Sequence, residues 1–404
     1  MVWNWLRGKE TATSLRDRLG WGAAQPSEGG RIWLHGASVG ELQAARHLIE
    51  TLLDETPHDV IVTANSATGQ ALVESWAIPR VAVARAPADA FGATGRFLSR
   101  WAVRCLISLE NELWPNRVST CKHRNIPVFG AATRAPKAAE TKGWKAGLIH
   151  RTLARYTRIW PQTVAHENAL TAIVGSGNIG PIYDAKATLE TGQVAQDFPA
   201  DLQAWRGRQI ILAASTHAPE ERLLAQAFQF AITQNPDLRL IIAPRHPERG
   251  GQIARTLENN TISMACRSEG EVAADETSLY IADTLHEMGK WYAAANWTII
   301  GGTFAPKGGH TPVEPILAGS VPAFGPDMRN HQDIADTLIQ KGAALQITDE
   351  AGLVAFMSAP DAARDRGAML AAGQSVLAEK RQRARHISQE IASAVMASVS
   401  HGNP

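Results

Sequence analysis

Short apolar runs alternate with helix-patterned segments along nearly all of this 404-residue chain, and that alternation restricts the fold more than any other feature. RIWLHG at 31–36 leads into ELQAARHLIETLL, DVIVTAN into ATGQALVESWA, RVAVARA into DAFGATGRFLSRW, and VRCLISL into a helix opened by Trp114-Pro115; PVFGAAT and RIWPQTV close the series. The pattern starts again after residue 208 with QIILAAST, LRLIIAPR, SLYIAD, WTIIGG, VPAFGP and ALQI, each followed by helix-like sequence. Such repetition predicts parallel sheets covered by helices on both faces. A chain this long outgrows a single hydrophobic core, so the two series predict two doubly wound α/β domains facing across a cleft. The boundaries read 1–180, a linker at 181–208, and 209–404. The Ala-rich, charged tail from Asp361 to Ser400 reads as a helix, whose last part can pack back toward the first domain.

Ligands of open parallel sheets collect beyond the carboxyl ends of the strands, and the polar motifs of this chain fall there: HGASVGE, TANSATG, ENELWPN, ASTHAPEE, APRHPERG and GGTFAPKGGHTPVEP. In the last of these, Gly301, Gly302, Gly308 and Gly309 allow backbone to approach an anion, and Thr311-Pro312 opens a helix whose free N–H groups face it. Glu314, one turn in, is placed to accept hydrogen bonds from a ribose diol. The competing interpretation is a glycine loop that only turns the chain. Arg245, His246, Ser215 and Thr216 add the positive charge and donors that an activated phosphate leaving group needs, which makes the second half the donor half. In the first half Glu41, just past Gly40, fits a general base at the mouth of the cleft; it equally fits a first-turn Glu stabilising a helix dipole. Glu110 and Glu112 are open to two roles as well, binding acceptor hydroxyls or Arg134, or capping the next helix.

Charge is polarised: residues 1–190 hold 22 Lys/Arg against 16 Asp/Glu, and the remainder 18 against 23. Residues 92–158 alone carry 13 basic side chains, among them Arg96, Arg100, Arg104, Lys137, Lys142, Lys145 and Arg151. That cluster suits a solvated face, an anionic membrane surface or a phosphorylated acceptor. Cys105, Cys121 and Cys266 are too few and too scattered for a disulfide framework or a zinc site, which indicates a reducing, cytoplasmic compartment. The first twenty residues hold no apolar run long enough for a signal peptide or span, so any anchoring is peripheral. Trp3, Trp5 and Leu6 beside Arg7 and Lys9 suit either a headgroup layer or a packed N-terminal arm. GSGNIG at 175–180 matches a dinucleotide fingerprint literally, but HENALTAIV before it reads as helix and Pro181 follows at once, so we reject it. The chain has no GxxxxGK[ST], no HExxH and no CxxC, and it lacks the Asp-x-Asp that would hold a divalent ion on a diphosphate, so no metal or cofactor is expected.

Nine motifs together resemble, in order, the 3-deoxy-D-manno-octulosonic acid (Kdo) transferases: HGASVGE, VTANSATG, ENELWPN, ATRAP, ASTHAPEE, PRHPERG, ADTLHEMGKWYAAAN, GGTFAPKGGHTPVEP and FGPDMRNHQDI. The resemblance spans almost the whole chain. It implies the GT-B fold, two Rossmann-like domains, the N-terminal one for the acceptor and the C-terminal one for CMP-Kdo. It implies an inverting transfer to a lipid A precursor in which Glu41 takes the proton from the acceptor hydroxyl and CMP leaves. Onto the donor site it places Ser215, Arg245 at the phosphate, Thr303, Gly308, Gly309 and Thr311 around the nucleotide, and Glu314 at the ribose. Onto the acceptor side it places Glu112, Arg134 and Lys186. CMP-Kdo is then a substrate and no cofactor is needed. The partners are the lipid A precursor and an anionic membrane surface, on the cytoplasmic face of the inner membrane; nucleic acid is not among them.

Four departures stand out. Tyr183-Asp184-Ala185-Lys186 replaces the family's Gly-Asn-x-Lys, and the hairpin reads GGHT rather than GGHN. His286-Glu287 stands where Gly-Glu is expected, and the N-terminal anchor is short or missing. Two alternatives remain on these residues: a divergent GT-B transferase or sugar-nucleotide epimerase using another nucleotide, and a non-catalytic nucleotide-sugar or lipid-binding scaffold.

Overall fold

The computed structural model describes residues 11–24, 27–110, 113–136, 143–188, 198–257, 262–362 and 364–400. The N-terminal aromatic segment, Glu112, Lys137 and Lys142 lie outside the described residues. The chain forms two compact α/β units, Met1–Leu189 with Lys380–Pro404, and Glu190–Glu379.

The first unit holds a six-stranded sheet: β1 (Arg31–Gly36), β2 (Asp59–Ala64), β3 (Val81–Arg85), β4 (Val103–Leu109), β5 (Val128–Thr133) and β6 (Arg158–Pro161). The order is β3-β2-β1-β4-β5-β6 and every pairing is parallel, so the chain reverses its winding between β1 and β4. Alternation of side chains across the sheet sends Ile32 and Leu34 into one core and Trp33 into the other, and does the same with Val60 and Val62 against Ile61. Strands buried on both faces must be apolar at nearly every position, which is why the runs RIWLHG and DVIVTA are continuous rather than alternating.

The second unit holds β7 (Gln209–Thr216), β8 (Leu238–Pro244), β9 (Met264–Cys266), β10 (Leu279–Ile281), β11 (Trp297–Ile300), β12 (Val321–Phe324) and β13 (Leu345–Gln346), in the order β13-β12-β11-β7-β8-β10-β9 and all parallel. Its winding reverses between β7 and β11. Two doubly wound parallel sheets are the GT-B fold class expected above. Among the described residues, β9 is the one strand without an apolar run to announce it: three residues on the edge of the sheet, paired with β10.

A helix of 35 residues, Arg366–Ser400, ends the described chain. Val376 and Leu377 join a core of the second unit, whereas Ala384, Ile387, Ile391, Ala392 and Val395 join a core of the first. Glu390 on this helix accepts a hydrogen bond from Trp160 Nε1 at 3.2 Å and pairs with Arg158 at 3.0 Å. Tyr183, one of the departures noted above, is fully buried in the first unit, and its hydroxyl lies 3.0 Å from Ser388 Oγ. Burial pushes that phenol up to about 12. The Gly-to-Tyr exchange therefore fills core volume beneath the terminal helix.

GSGNIG follows the helix Val164–Val174 and no strand precedes it directly, consistent with its rejection as a dinucleotide loop.

Candidate functional site

In each unit the winding reversal opens a crevice at the strand ends, where the two diverging connections leave the sheet. In the first unit it lies between β1 and β4. Glu41 sits there in the first turn of the helix Val39–Glu55. Ser38 caps that helix, its hydroxyl accepting from Glu41 N at 3.2 Å, while the Glu41 carboxylate reaches back to accept from Ala37 N at 2.8 Å and from Ser38 Oγ at 3.0 Å. The arrangement is close to a capping box, Ser-x-x-Glu, with the returning backbone bond taken from Ala37, one residue before the cap, rather than from the cap itself. The carboxylate is thus oriented, partly exposed, at the carboxyl end of β1.

Across the same reversal, at the end of β4, Glu110 adopts φ 45°, a left-handed conformation uncommon for a residue with a side chain. Its carboxylate, only 11% exposed, holds Arg134 at 3.3 Å and Lys186 at 3.6 Å. Gln162 bridges the group, accepting from Arg134 Nε at 2.7 Å. Arg134 and Lys186 are therefore brought together, on Glu110. Both cations remain more than one-third exposed, so an anionic ligand can still reach them.

Four large apolar side chains lie exposed at this edge of the first unit: Val39, Phe91, Val164 and Trp144, the last 75% exposed. Each begins or nearly begins a helix that follows a strand, namely Val39–Glu55, Phe91–Arg100, Val164–Val174 and Trp144–Leu153.

In the second unit the reversal lies between β7 and β11. Ser215 leaves the β7 ladder with φ 56°, and the register with β8 shifts between Ala214 and Thr216, as at a bulge. Gly301 packs against this bulge so closely that a Cβ would lie 2.3 Å from the Ser215 carbonyl oxygen. Gly302, Gly308 and Gly309 all have positive φ, and a Cβ on Gly308 would meet Asn330 at 2.5 Å. Most amides of this loop have partners within the protein. Gly301 N donates to Ala214 O, Gly302 N and Phe304 N to Glu220, Gly308 N to Asp327, Gly309 N to Gly302 O, and His310 N to Gly301 O. The glycines serve a loop folded tightly on itself and on β7. Thr303 is likewise sealed, its hydroxyl donating to Ile300 O at 2.7 Å and accepting from Gly325 N at 2.8 Å. Thr311 stays partly exposed and accepts from Val313 N at 3.3 Å ahead of the helix Val313–Ala318.

What this edge presents outward is imidazole and guanidinium. The rings of His217 and His310 lie edge to edge and nearly coplanar, with 5.2 Å between centroids, 3° between planes and their Nε2 atoms 2.9 Å apart, and His246 approaches His217 edge-on at 6.2 Å. Arg245, exposed, is anchored by its N–H to Thr216 O at 3.0 Å. Glu314 is exposed in the first turn after Pro312, close enough to the buried Tyr292 that burial and this carboxylate together push the phenol far up. Of the other departure, His286 is exposed with φ 64°, and Glu287 belongs to an ion cluster with Arg267, Lys290 and Asp201. Burial would raise the Glu287 carboxyl, but hydrogen bonds from Lys290, Thr284 and Arg267 outweigh it and hold the group at about 2.

A hydrogen bond between two Nε2 atoms needs one donor and one acceptor, so the contact suits two neutral imidazoles. Burial, then His217, Arg245 and His331, hold His310 at about 4 against its ordinary 6.5; burial also lowers His217, with Lys307 and His246 adding to it and Glu220 and Glu221 opposing. For a base held below its ordinary value the folded chain favours the neutral ring. The resulting stability is complete above about pH 6.5 and is lost as pH falls from there toward 4. The melting temperature of His310→Gln is therefore expected to fall less steeply than that of the wild type between pH 7 and about 4.5, and equal slopes would show that the pair does not titrate in this way.

Several organising residues had no signal in the sequence. Glu220, Tyr292 and the His217–His310 pair connect positions far apart in the chain, and only the sheet order brings them together. A sequence profile described as 3-deoxy-D-manno-octulosonic-acid transferase (kdotransferase) matches residues 13–188. The chain is 31% identical over 381 residues to the 3-deoxy-D-manno-octulosonic acid transferase of Bordetella pertussis, covering 86% of this chain and 85% of that one. It is 28% identical over 346 residues to the enzyme of the same name from Rickettsia bellii, covering 85% and 82%. The crystal structure of the UDP-GlcNAc 2-epimerase from Neisseria meningitidis bound to UDP-GlcNAc superposes with a TM-score of 0.53, covering 87% of this chain and all of that one at 9% identity, a likeness of fold alone.

Proposed function

Because the chain belongs to the 3-deoxy-D-manno-octulosonic acid transferase family, a family of glycosyltransferases, we propose that it moves Kdo from CMP-Kdo to a lipid A precursor, with inversion and without a metal ion. The second unit takes the donor. Arg245 meets the phosphate with a charge that cannot be titrated away, the hydroxyls of Ser215 and Thr311 add neutral donors, and Glu314 accepts from the ribose. Thr303, Gly308 and Gly309 serve this site by shaping the loop. The first unit takes the acceptor, with Arg134 and Lys186 as its anion-binding pair and the exposed Val39, Phe91, Trp144 and Val164 suited to acyl chains or a membrane surface. Attack by the acceptor hydroxyl on the anomeric carbon requires loss of its proton, which Glu41 accepts. The bond to the cytidylate oxygen breaks as the new one forms, and CMP departs carrying the electron pair.

The observation that carries this reading is the orientation of Glu41 at the carboxyl end of β1, where a general base must be held by neighbours rather than buried by them. Mass spectrometry of products from CMP-Kdo and a tetraacylated lipid A precursor tests donor and acceptor together. We expect the Kdo-bearing lipid to form at an undiminished rate in EDTA; loss of the reaction in EDTA, restored by a divalent cation, would end the metal-independent scheme. Binding of UDP in preference to CMP would instead favour another nucleotide sugar.

A further inference from the structure

We propose that Glu220 is the positioning residue that sets the geometry of the donor-binding edge, an inference that rests on the donor role given to the second unit. Glu220 is the first residue of the helix Glu220–Gln234 and is 2% exposed. Its carboxylate gathers three backbone N–H groups from two strand ends: His217 N at 3.0 Å and Gly302 N at 2.7 Å on Oε2, and Phe304 N at 2.9 Å on Oε1. One side chain thereby joins the turn after β7 to the glycine loop after β11, across the reversal where the ligand is proposed to bind.

The chemistry explains why a carboxylate stands there. Three donors approach from different directions, and only a group with two acceptor oxygens can satisfy them together. Glutamine offers one oxygen and would aim an N–H at another N–H. Gly302 has positive φ and a loop of this composition has little conformational preference of its own, so the bonds to Glu220 select one shape among many. The consequence reaches the paired imidazoles. His217 is held by its own N–H, while Gly309 N on Gly302 O and His310 N on Gly301 O carry the same constraint to His310. The next residue extends the device to β8: Glu221, also buried, accepts from Thr216 Oγ1 at 3.1 Å and from Arg249 at 2.7 Å. Adjacent acids in ASTHAPEE therefore tie together the ends of β7, β8 and β11 without either of them facing solvent.

The test compares the full-length wild type with Glu220→Gln and with Asp361→Ala. Asp361 accepts from Trp297 Nε1 at 2.8 Å and Gln209 Nε2 at 3.0 Å at the opposite edge of the same sheet, so its loss destabilises the unit away from the loop. Glu220→Gln is expected to raise the dissociation constant of CMP and the KM for CMP-Kdo about tenfold, with the KM for the lipid acceptor unchanged. Hydrogen exchange in the segment 301–312 should accelerate at least about tenfold while β8 and β12 keep their protection. Asp361→Ala is expected to lower the melting temperature and leave CMP affinity alone. The proposal is overturned by CMP affinity in Glu220→Gln that matches the wild type, by unaltered exchange in 301–312, or by an equal loss of affinity in Asp361→Ala. If wild-type protein does not bind CMP, the donor assignment fails while the exchange comparison still decides whether Glu220 shapes the loop.

Discussion

Glu41→Gln is expected to lower Kdo transfer at least about a hundredfold, the effect of removing a general base, while the melting temperature stays within about 2 °C of the wild type and CMP affinity is unchanged. Glutamine is the informative replacement because of what else Glu41 does. Its carboxylate supports the start of the helix much as in a capping box, accepting from Ala37 N and Ser38 Oγ, and Gln serves as well as Glu at the equivalent position of such a box. The amide keeps the reach and one acceptor oxygen, so the helix Val39–Glu55 retains its start. It cannot take a proton. Glu41→Ala removes both functions, since it also deletes the acceptor for Ala37 N and Ser38 Oγ. A slow Gln variant with wild-type stability therefore identifies a base. A fast Gln variant beside an unstable Ala variant identifies a cap and nothing more, which removes the proposed mechanism.

Both uses of Glu41 were legible as alternatives in HGASVGE; the structure shows the helix-start role, and the proposed base role is compatible with it because the end of a parallel strand and the start of the next helix occupy the same few ångströms. The parallel sheets were legible for a similar reason. Strands such as β1 and β7 are buried on both faces and announce themselves as apolar runs, whereas Met264–Cys266 is a strand only because β10 lies beside it. The glycine loop shows where local reasoning stops. Positive φ at Gly302, Gly308 and Gly309 fits the composition, but the partners of the amides, Glu220 and Asp327, lie far away in sequence or on the next strand's loop. Glu110 lies between the two cases: Arg134 was among its candidate partners in ENELWPN and is its partner here, whereas Lys186 joins only because β4 and the segment after β6 come together. Residues whose task is set by their neighbours in sequence can be identified from the sequence; those whose task is set by strand order are at most candidates there.

Glu314→Ala is expected to weaken CMP binding by about 1–3 kcal/mol, roughly 5- to 150-fold in dissociation constant, the range for a lost hydrogen bond to a charged group. The carboxylate is exposed, so its free energy of interaction depends on being held in place before the ligand arrives. We expect Tyr292, buried in the helix Met288–Ala294 with Glu314 acting on its phenol, to do this. Ordering the side chain in advance lowers the entropy lost on binding. Tyr292→Phe should therefore also weaken CMP, but by less than Glu314→Ala, because water can replace the lost partner on an exposed oxygen. The ligand supplies the decisive comparison. If Glu314 accepts from the ribose diol, a CMP analogue lacking both ribose hydroxyls binds wild type and Glu314→Ala alike, and the double-mutant cycle between side chain and diol accounts for the whole loss. An analogue that still distinguishes the two proteins would move Glu314 off the ribose, and an unchanged dissociation constant for CMP itself would take it out of the donor site.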